Sequence, residues 1–128
     1  MGAQRIFLAV VGAAYLLLAA WCAVKPQQTS ASIGYSFLNG SGRSEYFVIY
    51  GGLQAALGLM FLAPLWNSSY TGPALGACLL LHGLIVVFRS LSFALYADVQ
   101  SMTYMLAGVE WLILIGSVVV WWMGRNAA

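Results

Sequence analysis

Six polar side chains of the kinds that bind a ligand or exchange a proton lie in or beside long apolar stretches of the sequence. They are Glu45, Tyr50, Gln54, His82, Arg89 and Glu110. Only 6% of the 128 residues are charged, and a charge inside an apolar stretch is costly, so such positions are candidates for function. Arginine offers five N–H donors, a carboxylate accepts them, and histidine can exchange a proton near neutral pH. Three uses are open: a structural salt bridge, a site for the polar head of a ligand, or proton transfer.

The spacing of Arg89 and Glu110 places them at the same depth if their segments form antiparallel helices. Arg89 lies seven residues before Tyr96, where its segment ends, and Glu110 lies seven residues after Thr103, where the next begins. At about 1.5 Å per residue, each is roughly 10 Å below the same surface. An unpaired charge in hydrocarbon costs about 3 to more than 10 kcal/mol. We therefore predict that Arg89 and Glu110 form an ion pair.

The other polar residues extend this pair into a candidate ligand-binding cluster. Gln54 follows Glu45 by nine residues and reaches a similar depth, about 13 Å, with Tyr50 between them. His82 lies seven residues before Arg89, on the same helical face and nearer the midplane. A single histidine with three carboxylates is a thin catalytic set, so we assign no catalytic residue.

Composition and segment length determine the fold class. With 62% apolar residues the chain is expected to be an integral membrane protein. Four apolar segments, at residues 6–24, 46–66, 73–95 and 103–123, are each long enough to cross a bilayer as a helix. We predict an all-α, antiparallel four-helix transmembrane bundle formed by one domain, residues 1–128, with both termini on one side. Small residues in the first two segments, among them Gly12 and Gly58, predict close helix packing.

The connection between the first two segments, residues 25–45, is the longest polar stretch. Two interpretations are open for residues 32–38 within it, "SIGYSFL": a cap over the bundle, or an ordinary loop with aromatic anchors. Lys and Arg are almost evenly divided between the two sides, so orientation is weakly specified, with a slight preference for both termini in the cytoplasm. The cluster would then lie in the outer half of the bundle.

Several classes of site find no support in the sequence. Cys22 and Cys78 fall toward opposite sides of the bundle, so we expect two unpaired cysteines that pack as small apolar residues. No spacing typical of a metal site occurs, and we predict neither a metal nor a cofactor. The net charge of +2 is small and scattered, which argues against nucleic-acid binding.

Nearly the whole chain resembles a family of small bacterial four-helix membrane proteins of unknown function, related to the wider DoxX-like group. The resemblance is carried by "RSEYFVIYGGLQAALGLMFL", "FRSLSF" and "VEW". Its most specific residues are Glu45, Tyr50, Gly51, Gly52, Arg89 and Glu110. The resemblance implies the fold, the polar constellation and a bacterial inner membrane, but no established reaction. The wider group includes proteins assigned as membrane subunits of quinone-linked oxidoreductases.

The function that the sequence favours is binding of a lipophilic or amphiphilic small molecule, such as a quinone, a lipid or an isoprenoid, by the polar cluster. The alternative is an accessory subunit of a larger membrane complex, for example a redox complex. A proton-coupled transporter or a membrane isomerase is a weaker hypothesis, and a non-enzymatic role is favoured. Expected partners are membrane lipids, the ligand, and further copies of the chain or other membrane subunits.

Overall fold

A computed structural model describes residues 1–126, which form helices joined by short irregular connections and contain no β-strand. We number five helices in chain order and use these labels below. They are α1 (Ala3–Val24), α2 (Pro26–Ser32), α3 (Gly40–Leu65), α4 (Ser68–Leu95) and α5 (Ser101–Asn126). The long helices α1, α3, α4 and α5 are each long and apolar enough to cross a membrane, in agreement with the four predicted segments.

Helices α3 and α4 begin earlier than the apolar segments that predicted them. The side chain of Asn39 accepts hydrogen bonds from the backbone N–H groups of Ser41 and Gly42, and this cap starts α3 at Gly40. Asn67 caps the start of α4 in the same way through the N–H group of Ser69. Residues 25–45 therefore contain a short helix and the first turn of α3, and are not a single loop.

The start of α1 and the last turns of α5 lie at one end of the bundle, as the antiparallel arrangement predicts. At the start of α1, the Gln4 side chain donates to the carbonyl oxygen of Val120 in the last turns of α5, at 3.1 Å. The Arg5 side chain donates to the carbonyl oxygen of Pro64 at the end of α3, at 3.0 Å. We call this end, with the half of the bundle beside it, proximal, and the half that contains the α1–α3 and α4–α5 connections distal.

The proximal half has a tightly packed apolar core. Its central side chains come from α1, α3 and α4 and include Leu8, Phe61 and Leu75, which are 0–3% exposed. Val120 of α5 closes the same cluster. Side chains buried to this degree leave little room for water or a ligand among them.

Helices α1 and α3 come close together at two glycines. A Cβ atom on Gly12 would lie 2.8 Å from the carbonyl oxygen of Gly58, and a Cβ atom on Gly58 would lie 2.8 Å from the Leu16 side chain. Contacts this short are possible only without side chains, which confirms the close approach predicted from the small residues.

The short helix α2 covers the distal end of the bundle. Thr29 and Ser30 of α2 are 5% and 2% exposed, and the Thr29 hydroxyl accepts a hydrogen bond from the Tyr46 hydroxyl at 2.9 Å. Residues 32–38 pack over the same end, because Tyr35 lies edge-on against Tyr50 and Phe37 against Tyr46, so the structure supports the cap interpretation of this stretch.

Single cysteines at Gly2 and Asn126 should both react with a membrane-impermeant maleimide from the same side of membrane vesicles. A cysteine at Ser41, which lies at the distal end, should react from the opposite side. The native Cys22 and Cys78 are buried and should contribute little labelling. Labelling of Gly2 and Asn126 variants from opposite sides would contradict the topology. Labelling in oriented vesicles would also decide which side faces the cytoplasm.

Candidate ligand-binding cavity

Arg89 of α4 and Glu110 of α5 form a two-pronged ion pair. Arg89 Nε donates to Glu110 Oε2 at 3.0 Å, and Arg89 Nη2 donates to Glu110 Oε1 at 2.7 Å. The two side chains are 29% and 16% exposed. This geometry confirms the pairing predicted from equal depth, and the parallel bonds are the strongest arrangement open to these two groups. Glu110 engages two of the five guanidinium N–H groups, which leaves three for other acceptors.

The ion pair lines a cavity of about 400 Å³ in the distal half. Helices α1, α3, α4 and α5 form its walls, and α2 lies over it. Most of the lining is apolar, and leucines of all four long helices contribute to it. The main polar lining residues are Tyr15, Thr29, Tyr46, Tyr50, Gln54, His82, Arg89 and Glu110. A volume in this range, with a few polar groups in an apolar wall, is typical of small-molecule sites.

The cavity exists because α3 and α4 separate in the distal half. Close packing of α3 against α4 is confined to the proximal part of α3, Gln54–Leu65, while the distal part packs chiefly on α1. Helices α4 and α5 remain packed together. The cavity is the space that this arrangement leaves between the distal part of α3 and the α4–α5 pair.

A π-helical segment, Phe47–Leu53, shapes the wall that α3 contributes. Tyr46, Tyr50 and Gln54, each four residues apart, all line the cavity. In a regular α-helix, steps of four residues drift by about 40° around the axis at about 3.6 residues per turn. The wider π-helical turn opposes that drift, so the three side chains stay aligned.

Gln54 has an unsatisfied polar atom. Its Oε1 is buried and has no hydrogen-bond donor within reach. No side chain of a neighbouring helix donates a hydrogen bond to this oxygen. Because the terminal amide torsion is soft, a donor on a bound molecule can satisfy the oxygen at little cost.

His82 forms the floor of the cavity and is 1% exposed. Its Nδ1 lies 2.9 Å from the carbonyl oxygen of Cys78, which can only accept, so the ring proton is on Nδ1. Its Nε2 therefore accepts from the Tyr15 hydroxyl, at 3.0 Å. Both ring nitrogens are satisfied in the neutral form, so His82 serves mainly as a structural histidine of the cavity floor.

The two cysteines are free and lie in different parts of the bundle, as expected. Cys22 lies 3.7 Å from the Tyr46 hydroxyl, and Cys78 Sγ lies 3.3 Å from the Ser117 hydroxyl. Ser117 donates to the Ile113 carbonyl oxygen at 2.7 Å, so the thiol of Cys78 is the donor in its own contact. Within residues 1–126, no group of three His, Cys, Asp or Glu side chains is arranged to hold a metal ion.

Glu45 does not belong to the cavity, which corrects the predicted cluster. Its side chain is exposed in the first turns of α3 and does not line the cavity. The neighbouring Tyr46 is directed inward instead and is 5% exposed. Glu45 was included in the cluster because of its depth along the helix, but its side chain lies on the side of α3 that faces away from the cavity. The structure brings the other five predicted residues to one cavity.

An aromatic group covers the distal side of the cavity, and Tyr50 is the only one of its members that the sequence analysis named as a candidate site residue. Tyr46 and Tyr50 stack with ring centroids 4.4 Å apart. Tyr35 and Phe37, from the connection after α2, pack edge-on at 6.1 Å from Tyr50 and 5.3 Å from Tyr46. The spacing of Tyr46, Tyr50 and Gln54 was a usable signal, whereas the contacts of Tyr35 and Phe37 depend on the folded path of the connection.

Comparisons with known proteins place the chain in a family but do not supply an activity. No curated protein and no solved structure matches the chain. One family model, described as a domain of unknown function (DUF4345), matches residues 3–123. Nothing in that match ties the chain to the DoxX-like group, so the wider relation stays a prediction. Since the match spans nearly the whole bundle and its cavity, the chain belongs to the DUF4345 family of domains of unknown function.

Proposed function

We propose that this protein is a multi-pass membrane protein that binds a lipophilic or amphiphilic small molecule, with the polar head of the molecule in the distal cavity. A quinone, a lipid and an isoprenoid are the ligand classes considered. The observation that carries the proposal is the cavity itself: about 400 Å³ of space around an arginine with unused donors. Groups of this kind in an apolar environment are costly unless something satisfies them.

The outward surface of the helices supports a membrane location. Large apolar side chains on all four long helices are strongly exposed, among them Leu17 at 73%, Phe88 at 69% and Leu112 at 71%. Such a surface is unfavourable in water and suits hydrocarbon. A bacterial inner membrane follows only from the resemblance noted above and is part of the proposal.

The division of polar and apolar lining suits an amphiphile. Arg89, Glu110 and Gln54 offer hydrogen bonds to a polar head, whereas Leu18, Leu57 and other leucines offer contact to an apolar chain. An apolar wall contributes roughly 25 cal/mol for each Å² removed from water, and the few polar groups determine orientation. Arg89 is the group that we propose holds the head.

Two features favour binding over transport or catalysis. The packed proximal core around Leu8, Phe61 and Leu75 separates the cavity from the proximal end, so the polar groups do not continue across the bundle. Both nitrogens of His82 are committed to Tyr15 and Cys78, which leaves no free base beside Glu110. A transporter needs access from both sides, and an isomerase needs a free acid–base pair.

Arg89→Gln should reduce the amount of bound ligand at least about 10-fold, because hydrogen bonds to a charged group contribute roughly 1.5–3 kcal/mol. The measurement is native mass spectrometry of protein purified in a mild detergent, which detects a lipophilic molecule carried by the wild type. Arg43→Gln is the matched control, since Arg43 is exposed and outside the cavity. Circular dichroism should show that both variants keep the helical fold.

A wild-type protein that is purified empty would contradict the binding proposal. If such a protein also copurified with other membrane subunits, the accessory-subunit alternative would be favoured. Equal ligand retention by the Arg89→Gln and wild-type proteins would show that the ligand is held elsewhere.

A further inference from the structure

The charges that face the cavity cancel. Among the side chains lining it, Arg89 and Glu110 are the ionised ones, and they are joined by two hydrogen bonds. Glu45 is exposed outside the cavity, and Asp98, also exposed, does not line it. A bound head therefore meets a site that is polar but has no net charge.

A neutral site in a low-dielectric environment selects against charged heads. An anion that approaches the free N–H groups of Arg89 also approaches the Glu110 carboxylate, and no second cation balances it. A cationic head that approaches the Glu110 carboxylate also approaches the Arg89 guanidinium, which repels it. A buried charge without its own partner is far more costly than a buried neutral group that makes hydrogen bonds.

The unsatisfied groups specify the hydrogen-bonding pattern of the head. Arg89 has spare donors, so the head needs an acceptor. Gln54 Oε1 lacks a donor, so the head also needs a hydrogen to give. A hydroxyl group has both properties, whereas an ether or an isolated carbonyl group only accepts.

The size of the cavity limits the rest of the molecule. About 400 Å³ is near the lower end of the range for small-molecule sites. A cavity of this size suits a compact polar head with part of one apolar chain. A phospholipid is unsuitable because its two chains are too large for the cavity and its phosphate is charged.

We propose, on the basis of the function inferred above, that the ligand is an uncharged, hydroxyl-bearing, single-chain amphiphile, such as a long-chain or isoprenoid alcohol or a quinol. Glu110 rejects anionic heads by neutralising Arg89, and Gln54 Oε1 accepts the hydroxyl hydrogen. Glu110 thereby determines which head charge is accepted, and Gln54 determines whether the head must donate a hydrogen bond.

The charge preference is tested with 1-hexadecanol and hexadecyl sulfate, which have the same chain and differ in the head. In maltoside micelles at equal mole fraction, the wild type should bind the alcohol at least about 10-fold better than the sulfate, as measured by native mass spectrometry. Glu110→Gln should leave Arg89 without its anion and reverse the preference toward the sulfate. Arg43→Gln should leave the ratio unchanged.

The donor preference is tested with 1-hexadecanol and its methyl ether, which accepts hydrogen bonds but has none to give. The wild type should prefer the alcohol by about 3- to 10-fold, the range of a single neutral hydrogen bond. Gln54→Leu should remove this preference. Because it also removes a buried unsatisfied oxygen, this variant should fold at least as well as the wild type.

Each result bears on a separate claim. Tighter wild-type binding of the sulfate, or a charge preference that Glu110→Gln does not change, would overturn the role of Glu110. Equal binding of alcohol and ether would overturn the role of Gln54. If Glu110→Gln does not fold, the wild-type ratios alone still test the selection of an uncharged hydroxyl. A wild type that binds none of these probes and carries an anionic lipid would overturn this inference while leaving the proposed function intact. An empty wild type would contradict both.

Discussion

Replacement of Arg89 with leucine should destabilise the protein by about 3–5 kcal/mol, the usual cost of removing one partner of a buried ion pair. The substitution leaves the Glu110 carboxylate, only 16% exposed, without its two hydrogen bonds. The carboxylate must then remain charged in an apolar wall or take up a proton, and both outcomes cost free energy. Arg43→Leu, at an exposed position, should change stability by less than about 1 kcal/mol.

A double-mutant cycle separates the pair from its surroundings. Glu110→Gln combined with Arg89→Leu removes both charges, so the double variant should recover much of the stability that the single Arg89→Leu variant loses. The free energy of unfolding can be measured by denaturant titration in mixed micelles. A loss in the double variant equal to the sum of the two single losses would show that the residues are not energetically coupled.

Gly12→Leu should also be strongly destabilising, by several kcal/mol, since overpacking of a well-packed site costs about 1–3 kcal/mol even when side chains can move. Here the new Cβ atom would lie 2.8 Å from the carbonyl oxygen of Gly58, and backbone cannot yield as a flexible side chain does. Helix α1 must therefore move away from α3. Since both helices also wall the distal cavity, we expect the cavity to change shape.

Gly76→Leu is the control for this effect. Gly76 also lies within a long helix, α4, but it is exposed and a Cβ atom there meets nothing within 4 Å. Its replacement should change the unfolding free energy by no more than about 1 kcal/mol, and a small gain is expected because glycine is a poor helix former. Similar losses for Gly12→Leu and Gly76→Leu would contradict the close approach of α1 and α3.

The amino-acid sequence by itself determined the four long helices and the depth of each residue within them. Apolar segment length sets where a helix crosses, and an α-helix advances by a nearly constant distance per residue, about 1.5 Å. Depth is therefore linear in residue number, and the pairing of Arg89 with Glu110 could be predicted from two counts of seven residues. The same counting placed Gln54 near this level and His82 about 10 Å deeper, and both residues line the cavity.

The direction in which a side chain points was decided only in the tertiary structure. The π-helical segment Phe47–Leu53 keeps Tyr46 in line with Tyr50 and Gln54, so Tyr46 faces the cavity, and Glu45, one residue earlier on the helix, faces outward. The angle between two side chains around a helix axis is the sum of the rotations of all residues between them. Each rotation depends on whether the turn is α-helical or π-helical, and residue spacing does not reveal this. A shift of one residue turns a side chain by about 100° around the helix axis, which is enough to move it from the cavity wall to the outer surface.

Contacts between distant parts of the chain were likewise decided by folding. The bond from Tyr15 to His82 joins residues 67 positions apart, and it explains why a lone histidine in an apolar segment is tolerated. The bond from Tyr46 to Thr29 holds the α2 cap over the distal end. Whether α3 and α4 pack or separate depends on the summed packing of all four long helices. The sequence therefore predicted most of the polar residues of the cavity, whereas the cavity itself was produced by the arrangement of the helices in the folded protein.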